Sequence, residues 1–399
     1  MSKNIVFCAD GTWNGPNSDH DKDGIPDPTN VFKAFLLLSG EPDPASTLLA
    51  SEQEIAEPGP DGQVAKYLHG VGDSRNVITK LVGGAFGDGI IARIVRGYTY
   101  VSRNYRPGDR IILTGFSRGA YTARALGGMI ANVGLLDTSR YDVEDKALAY
   151  RMGILAWRKY RESRPPARDT GGGLKGLLEK IVNFTPALAL TRLQPEDTVP
   201  VDEIRAIGVW DTVGALGIPL YLDDEDSSVD LFRFADTALS PNVKFGIHAI
   251  SLDEQRGDFT PTLWDSRDGI RQVLFAGAHA DVGGGYPSGE SGLSDIACEW
   301  MLNRLADPAI GLRLKQQPWS LKPDFLGASH SPWKQAPFLL RPSGPRGPFA
   351  FPQDIGAHVS VAQRLGLVTV AGRPVPMPNP YLPAVLGTAF TTHTNWVTA

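Results

Sequence analysis

Short apolar runs alternate along the chain with segments in which apolar residues recur every three or four positions. The runs predict buried β-strands, and the recurring stripes predict α-helices, the last of them capped by Ser294. The predicted strands cover residues 5–9, 64–69, 110–114, 204–210, 245–251 and 272–278, and the predicted helices cover 31–38, 89–104, 118–133 and 293–305. This alternation is typical of the α/β class, in which a mostly parallel sheet carries helices on both faces.

Two stretches interrupt this alternation. Residues 137–200 are helical and basic at first and then rich in Gly and Pro, which indicates an insertion or cap within one large domain over residues 1–317. Residues 318–399 are rich in Pro, above all at 374–380. We therefore expect a C-terminal extension that wraps the surface of the same domain as extended chain.

Composition and charge exclude several classes of protein. The 399 residues hold 39 Lys+Arg and 44 Asp+Glu, a formal net charge of −5, and no basic run of the kind that binds nucleic acid. Two cysteines, Cys8 and Cys298, exclude a disulfide framework and a Cys-rich zinc site. No apolar segment reaches the roughly 18 residues of a membrane span, so we expect no transmembrane segment. The N-terminus is typical of a buried strand and not of a signal peptide, so we expect a cytoplasmic location or export by a leaderless route.

The strongest local motif is Gly-Phe-Ser-Arg-Gly at residues 115–119, between a predicted strand and a predicted helix. A nucleophile elbow needs this context, because its serine sits on a tight turn and the following helix directs its N-terminal amides at the site. The motif predicts Ser117 as the nucleophile of an α/β-hydrolase fold. The alternative is a purely structural turn.

A serine nucleophile needs a base, which in this architecture is a histidine farther along the chain. His279 follows the apolar run 273–278 and precedes the glycines at 283–285, so it lies at the carboxyl end of a strand, where ligands collect in open α/β sheets. We predict His279 as the base, the alternative being a polar residue buried under the loop. His248 lies inside a predicted strand and fits core packing, and His358 is a weaker candidate.

The third group should be a carboxylate between the serine and the histidine in chain order. Asp211 and Asp253 each follow a predicted strand, and spacing alone leaves both open. Asp281 is too close in sequence to His279 to orient its ring easily.

The oxyanion of an acyl-transfer reaction needs two amide donors. One should be the backbone N–H of Arg118, and the other should come from Gly11 or Thr12, with Asp10 shaping their loop. The side chains of Arg118 and Arg124 either attract an anionic head group or pair with local acids.

An acidic loop could bind a cation. Asp19, Asp21 and Asp23 alternate and precede Gly24, as in calcium loops, but position twelve is Asn30 and not the glutamate of an EF-hand. The alternatives are a solvated loop and a structural calcium site. The chemistry itself requires no cofactor.

Several motifs follow one another in an order that resembles a known family, the uncharacterised α/β-hydrolases that contain the catalytic domain of the type VI secretion phospholipase effectors. The resemblance extends over roughly residues 3 to 305, and its motifs lie at residues 10–14, 29–31, 115–124, 210–214 and 279–286.

The resemblance implies a triad of Ser117, Asp211 and His279, and so favours Asp211 over Asp253. It also implies lipase or phospholipase chemistry on acyl esters, with an ester or lipid substrate and peripheral contact with a membrane. The large effectors carry additional membrane-docking regions, whereas we expect this chain to hold only the hydrolase core, modest insertions and the Pro-rich tail. The alternatives are a hydrolase of another acyl ester and a catalytically silent binding module.

Overall fold

The computed structural model describes residues 2–11, 14–19, 21–47, 52–70, 86–163, 192–213, 238–316, 320–336, 338–340, 342–346, 355–365, 381, 383 and 396–397. The strands are β1 (Asn4–Ala9), β2 (Glu41–Pro42), β3 (Glu52–Glu57), β4 (Gln63–Leu68), β5 (Arg110–Phe116), β6 (Leu135–Leu136), β7 (Thr198–Val199), β8 (Ile204–Trp210), β9 (Val243–Ser251), β10 (Ile270–Phe275), β11 (Gly356–His358) and β12 (Trp396–Val397). The α-helices are α1 (Asn30–Leu37), α2 (Pro44–Thr47), α3 (Phe86–Asn104), α4 (Arg118–Val133), α5 (Lys146–Glu162), α6 (His279–Gly283), α7 (Gly292–Ala306) and α8 (Val359–Arg364).

Ten of these strands form one sheet in the order β12-β11-β10-β9-β8-β5-β1-β4-β3-β2. The pairs from β12 to β4 are parallel, and β3 and β2 add an antiparallel edge. The central strand β1 turns Ile5 and Phe7 toward a core shared with α3, α4 and α5. It turns Val6 and Cys8 toward a second core, which includes residues of α1 and α7. The structure confirms a mixed α/β fold with a mostly parallel sheet flanked by helices, and burial of both faces explains why β1 is apolar from Ile5 to Ala9.

Some elements differ from the prediction. The cap of α7 is Ser291 and not Ser294, whose hydroxyl lies in the first turn and donates to the Ser291 carbonyl at 2.9 Å. The pattern also missed β3, which lies next to the edge strand β2. Its sequence Glu-Gln-Glu-Ile-Ala-Glu is mostly polar, and Ile55 is its one buried residue.

The C-terminal extension is not only surface chain. Strand β11 pairs in parallel with β10, and β12 pairs with β11, so both extend the central sheet. The prediction of extended chain on the surface is wrong for residues 355–365. A strand of three small or polar residues carries too little apolar pattern to be recognised, and its burial comes from the neighbouring strand. The Pro-rich segment 374–380 lies outside the described residues, as do 164–191 of the predicted insertion.

Candidate active site

Ser117 occupies the turn between β5 and α4. Its backbone has φ 57° and ψ −121°, a left-handed conformation that L-residues rarely adopt. Its amide donates to the carbonyl of Trp210 on the neighbouring strand at 3.1 Å. Helix α4 then passes so close to β1 that a Cβ on Gly119 would overlap the carbonyl oxygen of Ala9. The second glycine of the motif is therefore needed for this close approach.

Asp211 leaves the adjacent strand β8 at the same edge of the sheet. Phe116 and Trp210 are paired in register, so Ser117 and Asp211 are the first residues beyond two neighbouring strands. Asp211 also has a positive φ, 37°, and is fully buried. One carboxylate oxygen lies 2.5 Å from Nδ1 of His279, and the other accepts the Ser251 amide at 2.9 Å.

His279 follows β10 and begins the short helix α6, where the sequence predicted only a glycine-rich loop. Its ring packs against Phe116, with centroids 4.6 Å apart, and against Phe259 at 4.9 Å. Burial lowers the pKa of His279, and the hydrogen bond and charge of Asp211 oppose this change. The ring is therefore neutral at pH 7 and able to accept a proton.

A residue that the sequence did not indicate completes this environment. Burial alone would raise the pKa of Asp211, but the Arg346 guanidinium and His279 hold it well below its ordinary value. Arg346 donates to both carboxylate oxygens, at 2.7 and 2.9 Å, and is itself buried. It lies in the Pro- and Gly-rich sequence of the extension, which carries no local signal of a buried arginine.

The alternative acid, Asp253, occupies a different position. Its carboxylate accepts the Gly277 amide at 2.6 Å and the Tyr381 hydroxyl at 2.7 Å. Asp253 therefore anchors the turn that precedes His279, and the structure brings Asp211 to the imidazole instead.

Three other described histidines, His248, His358 and His330, make separate contacts. His248 accepts the Thr212 amide at 3.1 Å, and burial lowers its pKa to about 3, as expected of a core residue. His358 stacks on the Phe275 ring, and burial lowers its pKa to about 4. The ring of His330 lies 2.6 Å from Asp281, which thus has a partner other than His279.

The loop after β1 lies against the serine. A Cβ added to Gly11 would stand 3.3 Å from the Cβ of Ser117, so the Gly11 backbone borders the turn. The buried Asp10 carboxylate accepts the Gly11 amide at 2.6 Å and the Thr29 and Tyr67 hydroxyls at 2.8 and 2.6 Å. These contacts agree with a role of Asp10 in shaping the loop. They also occupy the Gly11 amide, so the structure contradicts the prediction that Gly11 donates to the oxyanion. Thr12 lies outside the described residues, and Arg118 is the first residue of α4.

Comparison with known proteins identifies the family. The family model of the T6SS phospholipase effector Tle1-like catalytic domain matches residues 3–304. The chain belongs to this family. This Tle1-like chain is 28% identical over 262 residues to the uncharacterised protein YEL023C of Saccharomyces cerevisiae, which covers 64% of the chain and 32% of that relative. The chain thus spans about a third of the relative's length.

Two solved structures are also similar to the Tle1-like chain. One is an uncharacterised protein from Pseudomonas aeruginosa, with a TM-score of 0.39 and 16% identity, covering 79% of this chain and 47% of that one. The other is the Tle1 effector bound to the VgrG spike of the type 6 secretion system, with a TM-score of 0.35 and 17% identity, covering 72% and 52%. The chain therefore spans about half the length of each.

Arg118 and Arg124, which both lie on α4, differ in their surroundings. Arg124 is buried. It donates to the Thr262 carbonyl and stacks on the Trp264 ring at 4.6 Å, so its guanidinium contacts the protein interior and does not face a substrate head group in solvent. Arg118 is half-buried, and burial together with the nearby charge of Arg93 lowers its pKa to about 9.

The acidic loop gathers a different set of carboxylates from the predicted one. Oxygens of Asp19, Asp21 and Asp27 lie within 4.8 Å of one another. Asp23 is not a member of this group, because its carboxylate accepts the Ile25 amide at 2.7 Å in a local turn. Calcium binding by this Tle1-like chain stays a prediction, now with Asp27 in place of Asp23.

Among the described residues, no helix combines the length and the apolar character that crossing a bilayer requires.

Proposed function

We propose that this Tle1-like chain is an α/β-hydrolase that cleaves carboxylic esters of lipids, including phospholipids, through an acyl-enzyme on Ser117. The observation that carries the proposal is the 2.5 Å contact between Asp211 and His279, at the sheet edge where Ser117 occupies its positive-φ turn. Family membership supports the lipid class of substrate.

In this mechanism each residue has a distinct task. His279 takes the Ser117 proton as the hydroxyl oxygen attacks the ester carbonyl, gives it to the leaving alcohol, and then activates the water that releases the acid. Asp211 fixes the ring with Nδ1 protonated and stabilises the imidazolium that forms. The Arg118 amide, with the amide of Thr12, would donate to the oxyanion, because the Gly11 amide is bound to the Asp10 carboxylate.

Exposed aliphatic residues beside the site support a lipid substrate and peripheral contact with a membrane. Phe338 packs on Phe259, which in turn contacts His279. The next two residues, Leu339 and Leu340, are 62% and 96% exposed. Large aliphatic side chains this exposed cost free energy in water and suit an apolar surface.

The test is hydrolysis of a short-chain nitrophenyl ester and of phosphatidylcholine vesicles by the wild type and S117A. The wild type should hydrolyse both, and S117A, with unchanged circular dichroism, should lose at least about 1,000-fold in kcat. Turnover of the nitrophenyl ester alone would indicate a hydrolase of non-lipid esters. Equal turnover by S117A and wild type would exclude Ser117 as the nucleophile, and no turnover of either substrate would favour a silent binding module.

A further inference from the structure

Arg346 reaches the site from a segment that lies outside the part of the chain matched by the family model, which ends at residue 304. The segment is fixed on the loop after β9. The Gly344 amide donates to the Gln255 carbonyl at 2.8 Å, and Ser343 forms an antiparallel bridge with Arg256. These backbone contacts hold Arg346 above the sheet edge, so its side chain enters the site from a defined direction.

Both terminal nitrogens of the guanidinium are bound by acceptors. One terminal nitrogen donates to Asp211 Oδ1 at 2.7 Å and to the Ser251 carbonyl at 2.8 Å. The other donates to Asp211 Oδ2 at 2.9 Å and to the Phe259 carbonyl. A two-point contact with both oxygens fixes the rotation of the carboxylate, which a single contact could not do.

Because Oδ2 of Asp211 also faces Nδ1 of His279, the orientation of the carboxylate determines that of the imidazole. We propose that Arg346 is a positioning residue of the Ser117 site: it fixes the rotation of Asp211 and keeps its carboxylate ionised, so that His279 is held with Nε2 free to accept the serine proton. This inference rests on the proposed function. It assigns part of the site to the C-terminal extension.

Other charged groups surround His279, and a pH test must take them into account. Glu254 accepts the His279 amide at 3.2 Å and is paired with Arg256 at 2.7 Å. On its own helix, Asp281 is bound to His330. His248 lies near Asp211 and Arg346 and is neutral at pH 7, because burial lowers its pKa. A substitution at Arg346 breaks no contact of Glu254, Asp281 or His330. It removes only the smallest of the causes that lower the pKa of His248, which burial keeps neutral, so a change in the pH profile reports the Asp211–His279 pair.

The test is the pH profile of kcat and KM on the short-chain nitrophenyl ester for R346Q and R346K. Loss of the guanidinium charge in R346Q raises the pH at which the Asp211–His279 pair takes up a proton, so the acidic limb of kcat/KM should move up by about one unit. Because the Asp211 carboxylate and the His279 ring would be less firmly oriented, kcat should fall by about 100-fold, and KM should change less than about twofold. R346K keeps the charge but cannot reach both oxygens at once. R346K should therefore leave the acidic limb of kcat/KM near its wild-type position, and its kcat should be about tenfold higher than that of R346Q.

The matched control is R364Q. Arg364 is another buried arginine of the extension, and it donates to the carbonyls of Phe325 and Gly327 at 2.7 and 2.9 Å. R364Q should lower thermal stability without moving the acidic limb. The inference is wrong if R346Q differs from wild type only as R364Q does, or if R346K shifts the limb as far as R346Q. Should R346Q not fold, R346K decides alone, because a wild-type kcat in that variant would also overturn the inference. Failure of the proposed function is distinguishable, since wild type would then hydrolyse no ester or S117A would be as active.

Discussion

Ser117 and Asp211 are held side by side in left-handed backbone conformations at the ends of neighbouring parallel strands. Their φ angles are 57° and 37°, and the residues before them, Phe116 and Trp210, are paired in register. Such conformations cost on the order of 1–3 kcal/mol each in residues with a Cβ, and they occur where the surrounding structure determines them. The two strained turns place a hydroxyl and a carboxylate on the same edge of the sheet.

The strain at Ser117 predicts that glycine is tolerated better than alanine at this turn. S117G should be more stable than S117A by about 1 kcal/mol, because glycine adopts a positive φ without the steric cost of a Cβ. Urea denaturation of the two variants measures the difference, and both lack the hydroxyl, so its loss cancels. Equal stabilities would show that the turn is not strained in solution.

The buried Asp211–Arg346 pair predicts a change in acid stability. Since the folded pKa of Asp211 lies below its ordinary value of about 3.9, its contribution is complete above that pH and is lost as the pH falls further. D211N should remove this part of the acid dependence. It should also cost about 3 kcal/mol at pH 7, because it leaves Arg346 buried without its counter-charge.

The measurement is chemical denaturation of wild type and D211N at several pH values between 2 and 7. Parallel stability curves for the two proteins would contradict the assignment of an ionised, paired Asp211.

His330 predicts the opposite dependence on pH. Its pKa is raised: burial acts to lower it, but the contacts with Asp281 and Glu290, at 2.6 and 3.0 Å, outweigh this effect. The stabilisation is therefore complete below the ordinary histidine pKa of about 6.5 and is lost as the pH rises through the higher folded value. Thermal denaturation should show wild type losing more stability than H330Q between about pH 6 and 9. An identical loss in both proteins would mean that the pair does not form.

The exposed leucines predict a selective effect on membrane substrates. The double variant L339S/L340S should hydrolyse the soluble nitrophenyl ester like wild type but phosphatidylcholine vesicles about tenfold more slowly, because it loses apolar surface for the bilayer. The matched control is L36S, since Leu36 is 47% exposed but lies in the last turn of α1, away from the site. Equal vesicle rates for the double variant and L36S would exclude a role for these leucines.

What the sequence predicts well depends on how local the determining contacts are. The nucleophile turn is a five-residue motif, and β1 and α4 are mostly apolar, so all three are recognisable from the sequence. The choice between Asp211 and Asp253 was not, because both follow strands, and only the packing of the sheet brings Asp211 to His279. Arg346 lies 135 residues beyond Asp211, and no local pattern indicates a contact over that separation.

The acidic loop and the sheet edges show the same limit. Alternation predicted Asp23 as a partner of Asp19 and Asp21, but a local turn occupies the carboxylate of Asp23, and the chain folds back to bring Asp27 into its place. Strand β11 owes its burial to β10 and not to its own residues. For β11 the missing information is a contact between distant parts of the chain, and for the acidic loop it is the path by which the chain turns back on itself between Asp21 and Asp27.

The most direct test of the account is labelling with a fluorophosphonate, followed by peptide mapping of the adduct. The reagent reacts only with a serine that a neighbouring base activates, so wild type should carry one adduct, on Ser117, and H279A should label at least about 100 times more slowly. An adduct on another serine, equal labelling of H279A, or an unlabelled wild-type protein would contradict the assignment of Ser117 as a nucleophile activated by His279.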